Sequence, residues 1–528
     1  MTIRFPIANR NPVRLVALLG AAAIAVAACS GSSGSKGTSG SGAAPAVDGV
    51  LHVALDLSGN SGIPVTFDPA QGTSAASEVP WQLPIYDSLL HYTTSGALVP
   101  GLASAATIVN PTTVSVGLRP GLVFSDGTPL DASAVKASIL RNEAAPKHGQ
   151  FNTVLYDVSS IDVSSSTALT IHLSQPDGGE FYALLAGPET FVVSPAAKDP
   201  AAAPIGAGPY VLKAYAPSQQ IVLAKNPRYW DAKSIHLSEI DITSVPGGPQ
   251  QVNAVESGQV NFTQIANLSD VSAIRRDSSL QLLTHASQSS LLWMPVCKTT
   301  PPLADVRVRQ ALSYAINRET INQALLQGTG QAAHALWPET SVLFPKGLAS
   351  TYAYDPTKAR QLLASAGYPN GFSLTLILLP NYPLVSQVAQ IIQQEWKTIG
   401  VSLTLKSTAS YVTDLYIDHS GQTAVNPVIN PGLASLDTLR PGNIGDLCAY
   451  NNPEIDSIAT QLNGLAPTSS AAASLWGQVQ TIISQQALLI PLDFQPVVFA
   501  ASATVRDANL VTSYIVPVPD YHTIYVSG

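Results

Sequence analysis

The chain has 528 residues, 46% of them hydrophobic, which excludes a wholly disordered protein and suggests roughly two to four domains. Charged residues make up only 11% and the net charge is −8, which excludes a nucleic-acid binder that needs a basic face for phosphates. Three cysteines are too few for a thiolate metal cage.

Residues 1–28 carry Arg4, Arg10 and Arg14 and no acidic residue, with an apolar run from Leu15 to Ala28. As helix that run spans about 21 Å, short of a ~30 Å hydrocarbon core, and it reads as a signal peptide. Ser30 to Gly42 contains only Ser, Gly, Thr and one Lys, the composition of a flexible coil. No other stretch is apolar for eighteen residues, so the body is expected to be soluble and exported.

Leu51–Leu55 alternates with period two and predicts a first strand. Val114–Phe124 is strand-like and ends at the turn signal Ser125-Asp126-Gly127. Asp131 is placed to cap a helix with Val135 and Ile139 on one face. Leu169–Leu173 alternates again. Asp305 is placed to cap a helix carrying Val308, Leu312, Ala315 and Ile316. Asp355-Pro356 puts a cap before a proline at the first helical position, and Gly367 marks the stop. Then comes a βαβ pattern: strand Leu374–Leu379, helix Ser386–Ile399 ending at Gly400, strand Val401–Leu405. Gly206-Ala207-Gly208 lacks the third glycine of a dinucleotide loop and reads as a turn. Arg307 and Arg309 read as structural ion-pair partners, and Trp230 as a core residue.

Four segments together resemble the family 5 extracellular solute-binding proteins of ABC transporters, the peptide/nickel-binding group. They are Leu118–Leu130 with Ala134–Ser138, Gly206–Tyr210 with Asn226–Trp230, Asp305–Arg318, and Tyr354–Tyr368. The likeness runs from about residue 50 to 495. It implies an α/β, type II periplasmic-binding-protein-like clamp of two lobes with an inserted subdomain. The implied division is 50–85, 204–290 and 490–528 for a discontinuous first domain, 86–203 for the insertion, and 291–489 for the second lobe. Independently, Val26-Ala27-Ala28-Cys29 resembles the bacterial lipobox, which implies lipidation of Cys29, a lipidated linker over 29–49, and attachment to the outer face of the cytoplasmic membrane. Cys297 and Cys448 then remain as a pair in an oxidising compartment and are expected to form a disulfide.

The resemblance implies capture of a small solute, oligopeptide or similar, and its delivery to a permease pair with separate ATPase subunits. This chain has no G-x-x-x-x-G-K-[ST] segment of its own. The expected protein is a monomer with no cofactor and no metal site. Peptide-binding relatives use a second-lobe aspartate to pair with the peptide amino group. Here the comparable region, Tyr411 to Asn430, offers Asn426-Pro427 instead, and Asp414, Asp418 and Asp437 read as solvated loop charges. Rigid aromatic walls suit a pocket, so the candidate ligand contacts are Trp81, Trp293, Trp337 and Tyr411, with Asn426. The alternatives are a non-peptide ligand such as a metal chelate or oligosaccharide, or a signalling or chaperone lipoprotein. A secreted hydrolase is disfavoured, since neither G-x-S-x-G nor H-E-x-x-H occurs.

Overall fold

The computed structural model describes residues 49–527 except 59–64, 73–74, 145–157, 266, 286–290, 297–299, 381, 412, 419, 428–434, 437–438, 440–450, 496 and 514–515. The signal and linker expectations, Cys29, Cys297, Cys448 and Asp437 therefore lie outside the described residues. No helix among those described is long and apolar enough to cross a membrane.

A seven-stranded mixed sheet anchors the first lobe. Its order is Leu280–His285, Val497–Ser502, Phe262–Ile265, Gly49–Leu55, Leu237–Ser244, Gln220–Lys225 and Tyr210–Ala216. The first strand lies parallel to Leu237–Ser244 and to Phe262–Ile265. Alternation in Leu51 and Val53 buries one face, as period two requires. A separate antiparallel sheet holds Ala103–Asn110, Thr113–Leu118, Ala168–Leu173 and Val158–Ser165. The helix Ala132–Glu143 is capped by Asp131, whose carboxylate accepts from Ala134 N, and it buries Val135 and Ile139.

This smaller sheet unit is tied to the larger one by charge. Arg141 on that helix pairs with the buried Asp68, which also caps the turn Pro69–Gln71. Gly206 and Gly208 serve packing rather than phosphate binding. A Cβ on Gly206 would collide with the backbone carbonyl of Ile85, and one on Gly208 with those of Pro84 and Ile85, so the chain passes close only because the side chains are missing.

The second lobe has its own core, drawn wholly from residues 291–494. The βαβ unit is present, with Phe372–Leu378 parallel to Val401–Ser407 and the crossover helix Pro383–Lys397 between them. That helix starts three residues before the predicted Ser386 because Pro383, at its first position, is already set to a helical φ. Its buried stripe of Val385, Val388, Ala389, Ile392 and Trp396 follows helical spacing. Trp396 is fully buried, and its indole N–H reaches Leu312 O at 3.1 Å. Asp305 and Asp355 cap their helices through Arg307 N and Lys358 N.

Arg307 pairs with Asp305 at 2.6 Å, while Arg309 donates to the carbonyls of Leu303, Ala304 and Gln486. Trp230 departs from expectation. It is 37% exposed, with the Arg119 guanidinium 3.8 Å over its ring, because a cation–π partner covers the face that a core would otherwise cover.

Glu189 supplies a pH test of the insertion. It is buried beside the helix Ala132–Glu143, where Asn142 Nδ2 donates to its backbone carbonyl, and its carboxylate Oε2 has no partner. Burial pushes its pKa up to about 8. A raised carboxyl pKa means the folded state holds a proton that the unfolded state loses. Stability is therefore full below the ordinary value of 4.5 and falls as pH rises to about 8. The loss is at most roughly 5 kcal/mol. Urea unfolding of Glu189→Gln is expected to show a much shallower decline between pH 5 and pH 9 than the wild type. Parallel declines in the two proteins would refute this assignment.

Candidate functional site

Two adjacent antiparallel strand pairs join the lobes. Leu280–His285 lies against Val497–Ser502 in the first lobe, ending at His285↔Val497. Leu291–Pro295 lies against Leu489–Phe494 in the second, beginning at Leu291↔Phe494. The chain thus leaves the first lobe after His285 and enters the second by Leu291, and it returns between Phe494 and Val497.

The second-lobe pair belongs to a four-stranded sheet ordered Gln331–Ala332, Leu489–Phe494, Leu291–Pro295 and Asn426–Pro427. The outer strand sets Asn426 directly opposite Trp293, so both side chains lie on one face. Tyr411 adds its hydroxyl, which donates to Asn426 Oδ1. All three residues are at least nine-tenths buried. Yet Trp293 Nε1 and Asn426 Nδ2 have no hydrogen-bond partner. Buried N–H groups without acceptors cost about 1–3 kcal/mol each, so a pair on one face marks a place where an acceptor belongs.

The other aromatic candidates sit differently. Trp81 donates its indole N–H to Thr66 O at 3.0 Å and packs in the first-lobe core. Trp337 stacks edge-on with Trp476, ring centroids 5.4 Å apart, against the second-lobe core; its Nε1 is also buried and unpartnered. Asp414 lies 3.4 Å from Lys406 Nζ and has its pKa lowered, first by the Thr408 hydroxyl and also by Lys406. Asp418 is exposed. The structure therefore brings together Trp293, Tyr411 and Asn426, with Trp81 and Trp337 elsewhere.

Sequence reasoning missed Asp493. It is fully buried on a crossing strand; the Gln331 backbone N–H favours its charged form, but neither carboxylate oxygen accepts a well-formed hydrogen bond. Burial raises its pKa well above the usual carboxylate range. Gly330 leaves the room it occupies, since a Cβ there would strike Asp493 Oδ1. An aspartate inside the run Leu489–Phe494 was the available signal, because charges are rarely fully buried without a partner.

A hollow of about 530 Å³ lined by Tyr314, Tyr352 and Lys358 lies wholly on second-lobe residues. It cannot sense the relative position of the lobes, so it does not fit a clamp site.

The lobes also touch away from the strands. Gly179 N donates to Asn463 O at 2.8 Å, and Arg275 Nη1 donates to Gln327 O at 2.8 Å.

Comparison with known proteins gives this geometry a setting. The glutathione-binding protein GsiB of Escherichia coli (strain K12) is 27% identical over 427 residues, covering 77% of this chain and 81% of that protein. Among solved structures, the unliganded open form of the periplasmic murein tripeptide binding protein MppA superposes with a TM-score of 0.80 at 20% identity, covering 92% of this chain and 99% of that one. A nickel ABC transporter structure from Bacillus halodurans superposes with a TM-score of 0.77 at 19% identity, covering 91% of this chain and 100% of that one. These likenesses carry the fold, a two-lobed type II periplasmic-binding-protein architecture. The family model for bacterial extracellular solute-binding proteins, family 5 (middle), matches residues 97–426. With that match across most of both lobes, the chain belongs to the family 5 bacterial extracellular solute-binding proteins.

Proposed function

We propose that this protein captures a small, peptide-like solute between its lobes and hands it to an ABC permease, with Trp293, Asn426 and Tyr411 forming part of the second-lobe wall. The observation that carries the reading is the pair of buried, unpartnered donors Trp293 Nε1 and Asn426 Nδ2 on the sheet that contains both crossing strands. Donors without acceptors favour a ligand carboxylate or carbonyl oxygen at this point rather than an ammonium group. Glutathione and a murein tripeptide, named for two of the relatives, both carry such oxygens. A ligand that touches both lobes only when they are closed shifts the open–closed equilibrium by its differential affinity. No bond of the solute is broken in this reading.

The test is a thermal-shift screen of the soluble body with glutathione, di- to octapeptides, metal chelates and oligosaccharides. A ligand at 100 times its Kd adds about 2.7 kcal/mol of stability. Trp293→Phe keeps the ring and removes the donor, and Asn426→Ala removes the amide. Each is expected to weaken binding about tenfold with little change in the unliganded melting temperature. Affinity unchanged in both variants would remove these residues from the site. Turnover of a bound compound would overturn the capture-only reading.

We also propose that Cys29 is lipidated after removal of residues 1–28. Charge and hydropathy of that segment support this, as does the small-residue run before the cysteine. Cys29→Ala is expected to appear in the growth medium, and a variant that stays with the membrane would contradict the anchor. The even cysteine remainder supports a Cys297–Cys448 disulfide. Unfolding without reductant should expose no reactive thiol in the lipidated protein; two would exclude the bridge.

A further inference from the structure

A second cluster lies entirely on first-lobe elements and plays no part in the reading above. Asp87 follows the helix Ala75–Tyr86, His91 is on the strand Leu90–Tyr92, and His522 comes from the C-terminal segment. One donor atom of each lies within 4.8 Å of the others. The contacts converge on the Asp87 carboxylate. His91 Nε2 sits 2.5 Å from Oδ1, and the Tyr229 hydroxyl donates to Oδ2 at 2.9 Å. The same hydroxyl is 2.9 Å from His522 Nε2, and the two imidazole rings are 5.0 Å apart.

Three further features set this group apart from a chance contact. His522 Nδ1 is held by Asp520 Oδ1 at 3.1 Å, the outer carboxylate partner that turns the other ring nitrogen inward in metal sites. Gly101 clears the inner face: a Cβ there would lie 2.7 Å from His91 Nε2. Asp87 is fully buried and takes φ of +60°, a left-handed conformation that aspartate tolerates better than most residues. Its Oδ1 also accepts from Ser88 N at 2.8 Å, which fixes the carboxylate in place. Arg119, the nearby cation, is turned onto the Trp230 ring and Gly101 O.

We propose that Asp87, His91 and His522 bind a divalent transition-metal ion, with the Tyr229 oxygen at the fourth corner, and that the ion clips the C-terminal segment to the body of the first lobe. Two imidazoles and one carboxylate suit Zn²⁺ and its neighbours rather than Mg²⁺ or Ca²⁺, which prefer all-oxygen shells. A tetrahedral ion at about 2.0–2.1 Å from each donor sets the donors roughly 3.3 Å apart, so the short contacts open by less than an ångström and a pair at the 4.8 Å limit closes by about 1.5 Å. His91 and His522 are each partly exposed, which gives the ion a way in.

The probe is Zn²⁺ added to chelator-stripped full-chain protein, measured by equilibrium dialysis, with Co²⁺ substitution for spectroscopy. One Zn²⁺ per chain and a raised melting temperature are expected. His91→Ala and His522→Ala should each bind at least about tenfold more weakly, whereas His52→Ala, on a separate strand, should bind as wild type. Co²⁺ should give the intense visible bands of four-coordination in the unaltered protein, a readout independent of whether a variant folds. No zinc bound, full binding in the His91→Ala/His522→Ala double variant, or only the weak bands of six-coordinate Co²⁺ would each overturn the site. Because Trp293→Phe leaves these residues untouched, it should retain full zinc binding, so the clamp reading and the metal site fail separately.

Discussion

The architecture depends on two neighbouring strands that leave one sheet and enter another side by side. They are paired antiparallel in the first lobe from Leu280↔Ser502 to His285↔Val497, and paired again in the second from Leu291↔Phe494 onward. Each lobe carries its own close-packed core, and such cores resist deformation. Relative motion of the lobes costs least where it leaves both cores intact. Trp293 follows that junction on the same strand as Leu291. A ligand held there bears on the hinge strand itself, so binding and closure share a covalent connection.

Polar accounting separates this region from its surroundings. Among the described residues, many buried polar groups elsewhere find protein partners, such as Trp396 Nε1 on Leu312 O or Thr423 Oγ1 on Pro295 O. The four-stranded sheet of the second lobe is different. Gln331 Oε1, both Asp493 oxygens, Trp293 Nε1 and Asn426 Nδ2 are all buried and unpartnered on it. Natural sequences leave such groups unpaired mainly where function requires it, because each one costs stability. The acceptors and donors are not placed to cancel one another. Asn426 stands opposite Trp293, while Asp493 is registered with Leu292 and Ala332. Trp293 Nε1 and Asn426 Nδ2 thus both remain buried without an acceptor.

Much of the fold was legible because local chemistry agreed with tertiary need. Asp131, Asp305 and Asp355 cap the helices their positions suggested, and the βαβ pattern of residues 372–407 folded with parallel strands. The family resemblance implied what periodicity could not, namely that segments as distant as 50–85 and 204–290 belong together, and the structure pairs Gly49–Leu55 with Leu237–Ser244 in one sheet. Within the candidate site, aromatic residues could be singled out singly, but sequence does not reveal whose polar handle is already taken. Trp81 and Trp293 look alike on paper; Thr66 O answers one and nothing answers the other. Asp493 and the Asp87 cluster were illegible for another reason. Their partners are far away in the chain, with Asp87 meeting Tyr229 and His522 across long loops.

A clamp works only if each half is stiffer than the joint between them, and the first lobe faces the harder task. It is assembled from two separate stretches of the chain, one before Leu291 and one after Phe494, and its C-terminal segment is held near the end by few regular strands: Val505–Arg506 pairs with Tyr525–Val526, and Leu510–Ser513 with Val516–Pro519. Short two-stranded ribbons are marginal by themselves. The added fixings are polar and buried: Arg141 on Asp68 for the insertion, and Tyr229 with Asp87 and His522 for the C-terminus. Each joins residues distant in sequence, where closing the loop costs most entropy and a strong fixing returns most. A metal ion held by Asp87, His91 and His522 strengthens the joint that the ribbons leave weakest.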